Sequence, residues 1–122
     1  MQPRRFVMND YKRSTLLNKD RLKVCVFVCS STGDGEAPEN GQAFFRWLRR
    51  ETDSTALKHM FYTILGLGSS DYSHFQGAPR FLDERLACLG GKRFYNRAEA
   101  DEATSLEIII EPWMEGLPSS LR

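Results

Sequence analysis

Two short stretches carry most of the groups that could do chemistry. The first, SSTGDGE at 30–36, sets the hydroxyls of Ser30, Ser31 and Thr32 beside Gly33, Asp34 and Gly35. The second, GLGSSDYSHF at 66–75, adds Tyr72, His74 and Phe75 beside Gly66 and Gly68. Glycines let a backbone bend tightly and approach a flat molecule closely. Hydroxyls and exposed amides supply hydrogen bonds, and an aromatic side chain stacks on a planar ring. The combination suits holding a planar, polar ligand rather than attacking one. No GxSxG nucleophile elbow is present. Neither stretch has the lysine of a phosphate-binding Walker loop, and GLGSSD lacks the third glycine of a dinucleotide fingerprint. His59 and His74 come with no triad partner. Cys25, Cys29 and Cys88 show no metal-ligand spacing, and an odd count gives no disulfide framework. They read as buried free thiols of a reducing compartment.

Both stretches must be positioned by the elements before them. KVCVFVC, 23–29, is β-branched and apolar on both faces, which predicts a strand central in a parallel sheet. MFYTILGLG, 60–68, predicts a second such strand. After the first loop, GQAFFRWLRRE predicts an amphipathic helix with Phe44, Trp47 and Leu48 inward, Asn40 as its N-cap, and Arg46, Arg49 and Arg50 on its exposed face. APRFLDERLACLG predicts a second helix, with Phe81, Leu82, Leu86 and Leu89 inward and Gly90 as its stop. KRFYN reads as a short third strand. DEATSLEIIIEPWMEGL reads as a last helix kinked at Pro112, with Trp113 in the core. Upstream, RRFVMN reads as a short strand, followed by a polar connection. Alternating strands and helices imply an α/β fold with a parallel sheet. Ligands of such sheets bind at the carboxyl ends of the strands, where both Gly-rich loops emerge.

The chain has 122 residues, 41% hydrophobic and 27% charged, the profile of one globular domain over 1–122. A formal net charge of +1 speaks against a nucleic-acid partner. It hides an asymmetry. Residues 1–23 hold seven Lys/Arg against two Asp/Glu, and the remainder ten against fourteen. A basic head on an acidic body is a solvated face or a docking surface. No apolar run reaches the length of a membrane span, and the start lacks the apolar core of a secretory signal. The expectation is a cytoplasmic protein with no membrane partner.

FVCSSTGDGEAPEN resembles the segment after the third strand of the FMN-binding, flavodoxin-like domain of diflavin reductases. LGLGSSDYSHF resembles that family's next flavin loop, GLGxxxYxxF. RLACLGGKRFYNRAEAD continues the pattern, and the tail FYNRAEADEATSLEIIIEPWMEGL looks most like the methionine synthase reductase branch. The resemblance covers about residues 5–121 and implies FMN as cofactor. Ser30, Ser31, Thr32 and Gly33 match positions along one side of the isoalloxazine ring. Leu67, Gly68, Ser69, Ser70, Asp71, Tyr72, Ser73, His74, Phe75 and Gln76 match the loop on the other side, with Tyr72 as the stacking aromatic. Asp101, with Glu102 beside it, matches an acidic position near the flavin. Negative charge there opposes further charge on the ring and lowers its potential.

The same resemblance exposes a departure. The flavodoxin-like order is 2-1-3-4-5, with FMN at the switch between strands one and three, flavodoxin being the standard example of that rule. RRFVMN matches the second strand. The expected fold is therefore a flavodoxin-like doubly wound parallel sheet, truncated at its N-terminus, with the first strand, phosphate loop and first helix absent. By resemblance the function is an electron-transfer module between an FAD/NADPH reductase module, separate or missing, and an acceptor such as cobalamin-bound methionine synthase. A non-catalytic remnant that binds a protein partner through its acidic loops and basic head is the alternative. A third reading, an unrelated α/β hydrolase or transferase, has no nucleophile to support it.

Overall fold

The computed structural model describes residues 4–121; residues 1–3 and 122, the outer ends of the expected domain, lie outside it. Four strands form one sheet: β1 (Lys23–Ser30), β2 (Met60–Gly68), β3 (Lys92–Arg93) and β4 (Ala98–Asp101). Three helices alternate with them: α1 (Gln42–Arg50), α2 (Gly77–Cys88) and α3 (Glu107–Gly116). Every ladder is parallel. β1 pairs with β2 from Lys23 opposite Met60 to Ser30 opposite Leu67. On the other side of β2, β3 meets Phe61 and Tyr62, and β4 meets Leu65 to Gly68.

The two faces of the sheet follow from strand alternation. On one, Phe27 and Ile64 pack with Phe44 and Leu48 of α1 and with Leu82 and Leu86 of α2. On the other, Leu65, Ala98 and Ala100 pack with Trp113 and Leu117 at the α3 end, and Val26 leans on that cluster. Phe81 and Trp47 are half-buried against the first cluster, while Arg46, Arg49 and Arg50 are exposed, as their helix faces predict. α2 stops at Gly90, whose φ of +101° lets the chain turn away where a Cβ would strike the Ser54 carbonyl at 2.9 Å.

Several expectations are corrected. RRFVMN forms no strand: Val7 is extended and Met8–Asp10 turn into one 3-10 turn. Its asparagine has another task. Asn9 Oδ1 accepts from the amides of Ala43 and Phe44, and its Nδ2 donates to the Glu39 carbonyl. Asn9 therefore caps α1 from a distance, and the expected cap, Asn40, lies inside the 3-10 turn Glu39–Gly41. β1 is not central. Among the described residues it pairs with β2 alone, and Val24 and Val28 are 50% and 57% exposed. The third strand is longer than KRFYN and interrupted. The Phe94 amide still bonds the Tyr62 carbonyl, then Thr63 Oγ1 donates to the Tyr95 carbonyl and Trp113 Nε1 to the Asn96 carbonyl before pairing resumes at Ala98. The last helix begins at Glu107 and carries Pro112 within it. Cys88 is exposed rather than buried, while Cys29 is buried and Cys25 half-buried.

Candidate functional site: three loops at the carboxyl edge

Because the strands are parallel, the segments leaving β1, β2 and β4 emerge together. Each is shaped by its own backbone. After β1, the amides of Gly35 and Glu36 donate to the Thr32 carbonyl and the Thr32 amide to the Glu36 carbonyl, closing a tight turn. The turn needs left-handed backbone at Gly33 and Gly35, with φ of +49° and +88°. After β2, the Tyr72 amide donates to the Ser69 carbonyl, and His74 and Gln76 both take left-handed φ. After β4, Asp101 Oδ1 receives the amides of Ser70 and Ala103.

The loops are joined to one another. A Cβ at Gly35 would lie 2.9 Å from His74 Cβ and 3.2 Å from Gly77 Cα, so the first two loops touch backbone to backbone. The Ala78 amide, at the start of α2, donates to Ser31 Oγ at 3.1 Å, and Ser73 Oγ donates to Asp34 Oδ1 at 2.8 Å. The second loop meets the third through Asp101 and through the Glu102 amide, which donates to the Gly68 carbonyl at 2.7 Å. Beneath them lies Gln76. It is fully buried, and its Nε2 donates to the carbonyls of Ala100 (2.9 Å) and Gly66 (3.3 Å). Gln76 thus braces the loops from below and presents no amide to their surface. Leu67 is also turned inward, against the α3-side cluster.

The other predicted residues stand at the surface of this assembly. Thr32, Gly33, Ser70, Asp71, Ser73 and His74 are exposed, and Ser30, Ser31, Gly68, Ser69 and Phe75 are partly covered. Tyr72 is 66% exposed, an aromatic face with no ring partner among the described residues. The loop charge is acidic: Asp34, Glu36, Asp71, Asp101 and Glu102. Hydrogen bonding from Ser70 holds the Asp101 carboxyl below its ordinary range, so it stays ionised.

A second set of residues, missed from the sequence, fixes β4 and hence Asp101. Arg80, in the first turns of α2, grips Glu99 of β4 with two hydrogen bonds of 2.7 and 2.8 Å. Arg97 reaches Glu99 at 3.4 Å and Asp83 at 2.7 Å, and Asp83 also takes Arg93 and the Tyr62 hydroxyl, both at 2.6 Å. The sequence signal for this network is two arginines and one glutamate within 93–99, RFYNRAE, which a solvated turn shares. Two surface cavities of about 360 Å³ lie away from the loops, one lined by Tyr11, Trp47 and Arg50, the other by Tyr62, Asp83 and Arg93. The loops themselves form an open ledge, since nothing among the described residues pairs with the far edge of β1.

The flavodoxin family profile matches residues 1–113. The chain belongs to the flavodoxin family. It is 41% identical over 116 residues to methionine synthase reductase of Caenorhabditis elegans, which covers 94% of this chain and 17% of that protein. It is 37% identical over 98 residues to the human methionine synthase reductase, covering 80% of this chain and 14% of that protein. It is 38% identical over 117 residues to NADPH-dependent diflavin oxidoreductase 1 of Schizosaccharomyces pombe, covering 93% of this chain and 20% of that protein. The chain thus spans a fifth or less of these relatives' length, and its match is to the flavodoxin-like part of diflavin reductases. A solved short-chain flavodoxin associated with a bacterial microcompartment shares the fold at a TM-score of 0.56 and 21% identity, over 88% of this chain and 73% of that one. The α/β fold expected from the residues, and its flavodoxin-like form implied by the resemblance, are borne out. Family membership indicates FMN as the cofactor, and the ledge fits its ring: small residues on one loop, an exposed tyrosine on the next, and a fixed carboxylate on the third. No described helix is long and apolar enough to cross a membrane.

Proposed function

We propose that the chain is a partial flavodoxin-like domain that binds FMN and acts in electron transfer, as part of a diflavin reductase system in the cytoplasm. Electrons would come from an FAD/NADPH module on another polypeptide segment and pass to an acceptor protein, methionine synthase being the one that the reductase relatives' name suggests. The observation that carries this reading is the joining of three strand-end loops into one ledge with Tyr72 exposed on it. Bound FMN supplies the one-electron chemistry. The chain's own residues hold and tune it: Ser30, Ser31, Thr32 and Gly33 along one side of the ring, Gly68 to Phe75 along the other, and Asp101 as a fixed negative charge. No residue here transfers a proton, so none is assigned as catalytic.

A specific observation favours the alternative, a protein-binding remnant without flavin. No lysine or arginine stands in the three loops to receive a phosphate, and their carboxylates repel one. A flavin titration separates the two, comparing FMN with riboflavin by absorbance and fluorescence quenching. Binding of both with equal affinity shows a working ring ledge without a phosphate site, and tighter FMN shows that backbone groups hold the phosphate. Absence of binding by the folded chain refutes the flavin reading. Tyr72→Ala should weaken binding about two- to tenfold, matching the ~0.5–1.5 kcal/mol of an aromatic pair beyond simple burial.

A further inference from the structure

We propose that Arg80 is a positioning residue for the flavin: its single guanidinium ties the second loop to the third, so that Tyr72 and Asp101 are presented to one ring. The inference rests on the flavin reading above and deepens it. Arg80 sits near the start of α2, where its amide donates to the Gln76 carbonyl at 2.9 Å. Its side chain makes two contacts beyond the helix. The guanidinium carbon lies over the Phe75 ring, 5.8 Å from the centroid, within the range of a cation–π contact. The nitrogens fork onto Glu99: Nε donates to Oε2 at 2.7 Å and Nη2 to Oε1 at 2.8 Å. Glu84, one turn further along α2 and lining the same cavity, is a nearer partner in sequence, yet among the described residues Arg80 pairs with Glu99 on β4.

Both contacts fall on segments that carry the ledge. Phe75 follows Tyr72 in the second loop and stands between His74 and Gln76, which both take left-handed φ. Such backbone persists where surrounding contacts hold it, and among the described residues Arg80 is the group that packs over the Phe75 ring. Glu99 lies just before Asp101 on β4, opposite Gly66 in the ladder. Arg97 reaches Glu99 only at 3.4 Å and is engaged by Asp83 at 2.7 Å, so the short bonds to Glu99 are those of Arg80. The path closes at the surface, where Asp101 Oδ1 receives the Ser70 amide at 2.9 Å, next to the Tyr72 segment. Arg80, Phe75, Ser70, Asp101 and Glu99 thus form one closed circuit through both loops. The position suits arginine alone among the cations. A planar guanidinium meets a carboxylate with two bonds while lying on an aromatic ring, whereas a lysine ammonium is a point charge on a flexible stem.

Arg80→Lys, which keeps the charge, and Arg80→Met, which keeps only the stem, test the proposal by three readouts. These are FMN affinity from fluorescence quenching, the midpoint potential of the bound FMN, and amide exchange at Ser70 in the flavin-free chain. The Arg80 side chain is 52% exposed, so both variants should fold. Arg80→Lys is expected to weaken FMN binding about two- to fivefold, the range of one exposed cation–π contact. It should raise the potential, because the Asp101 charge is held less firmly against the ring. In an Asp101→Asn background the same substitution should leave the potential unmoved, since no charge remains to be positioned. Exchange at Ser70 should accelerate while that of the β1 amides stays as in the wild type. Phe75→Leu, which removes the ring and leaves Glu99 paired, should lower affinity without adding to the effect of Arg80→Lys. Wild-type affinity and potential in Arg80→Lys overturn the proposal, even with a lowered urea midpoint, which a merely structural ion pair would also give. So does a loss confined to Arg80→Met, which would make the charge alone responsible, or an equal shift of potential with Asp101→Asn in place. Failure of the wild-type chain to bind FMN is a different result: it refutes the flavin reading itself, and this inference with it.

Discussion

Gln76→Ala is expected to destabilise the folded chain by about 2–3 kcal/mol, although Gln76 lies at the end of a surface loop. The magnitude follows from what the amide touches. Its Nε2 donates to the Ala100 carbonyl at 2.9 Å and, less favourably, to the Gly66 carbonyl at 3.3 Å. Leaving one buried carbonyl short of its donor costs ~1–3 kcal/mol, and the cavity left by a fully buried side chain adds ~1 kcal/mol or more. Loss of Gln76 Oε1, a buried atom with no hydrogen-bond partner among the described residues, offsets part of this. Replacement of one residue by alanine leaves the strain of the left-handed φ nearly unchanged. The net corresponds to a melting temperature lower by roughly 10 °C. Gly66→Ala supplies an internal control. Its new Cβ would lie 1.9 Å from Gln76 Oε1 and 2.8–2.9 Å from the Pro79 ring. In the double variant the first clash disappears and the second stays, so the two changes should couple by ~1 kcal/mol or more, the double being less damaging than the sum. Urea unfolding followed by circular dichroism measures all three variants. A cost below ~1 kcal/mol for Gln76→Ala, or strict additivity with Gly66→Ala, refutes the bracing role.

Other outcomes test the remaining parts of the structure. Asp83→Ala should cost ~2 kcal/mol, because it removes the carboxylate shared by Arg93, Arg97 and the Tyr62 hydroxyl, although the hydroxyl keeps the residue-83 carbonyl at 3.2 Å and Arg97 keeps Glu99, whereas Tyr62→Phe should cost ~1 kcal/mol; urea midpoints of the two compare them. Burial pushes the Cys29 thiol up to about 12 and that of Cys25 up to about 11, so at pH 8 only exposed Cys88 should react rapidly with a thiol reagent, the others following on unfolding. The raised thiols also set a sign. Their stabilising contribution is complete below the unfolded thiol pKa of ~8.5 and is lost as pH rises from there through the folded values, so urea midpoints should fall between pH 8 and 11. Glu99, held down by the Arg80 hydrogen bonds, and Asp101, held down by Ser70, have the opposite sign. Their contribution is present above the ordinary carboxylate range and lost as pH falls through their depressed values, so amide exchange at Ser70 should accelerate more than in β1 on acidification below pH 4.

The strands, helices and loops of the ledge were largely legible in the chain itself. Six apolar residues from Val24 to Cys29 make a strand in any context, and the 3.6-residue spacing of Phe44, Trp47 and Leu48 makes a helix, because those patterns are local and hydrophobic. The two loops could be named because glycine, serine and an exposed aromatic after an apolar strand leave few alternatives. Long-range matters were not legible. The apolar character of both faces of β1 predicts a strand with two neighbours, yet among the described residues it pairs on one side only, since composition records what a strand can bury and not what stands beside it. The α1 cap was misread for a related reason: Asn40 is next to the helix in sequence, while Asn9 reaches it across the fold.

The sequence by itself determined the alternation of parallel strands and helices, the edge of the sheet at which the loops emerge, and their resemblance to flavin loops. These rest on residue type and spacing, which act over a few residues. Only the tertiary structure decided that Gln76 faces inward as a brace, that Arg80 and Arg97 fasten β4 so that Asp101 meets Ser70, and that Val24 and Val28 stand uncovered. Each of these depends on which distant segment meets the residue in space. A glutamine, an arginine or a valine carries no local mark of that partner.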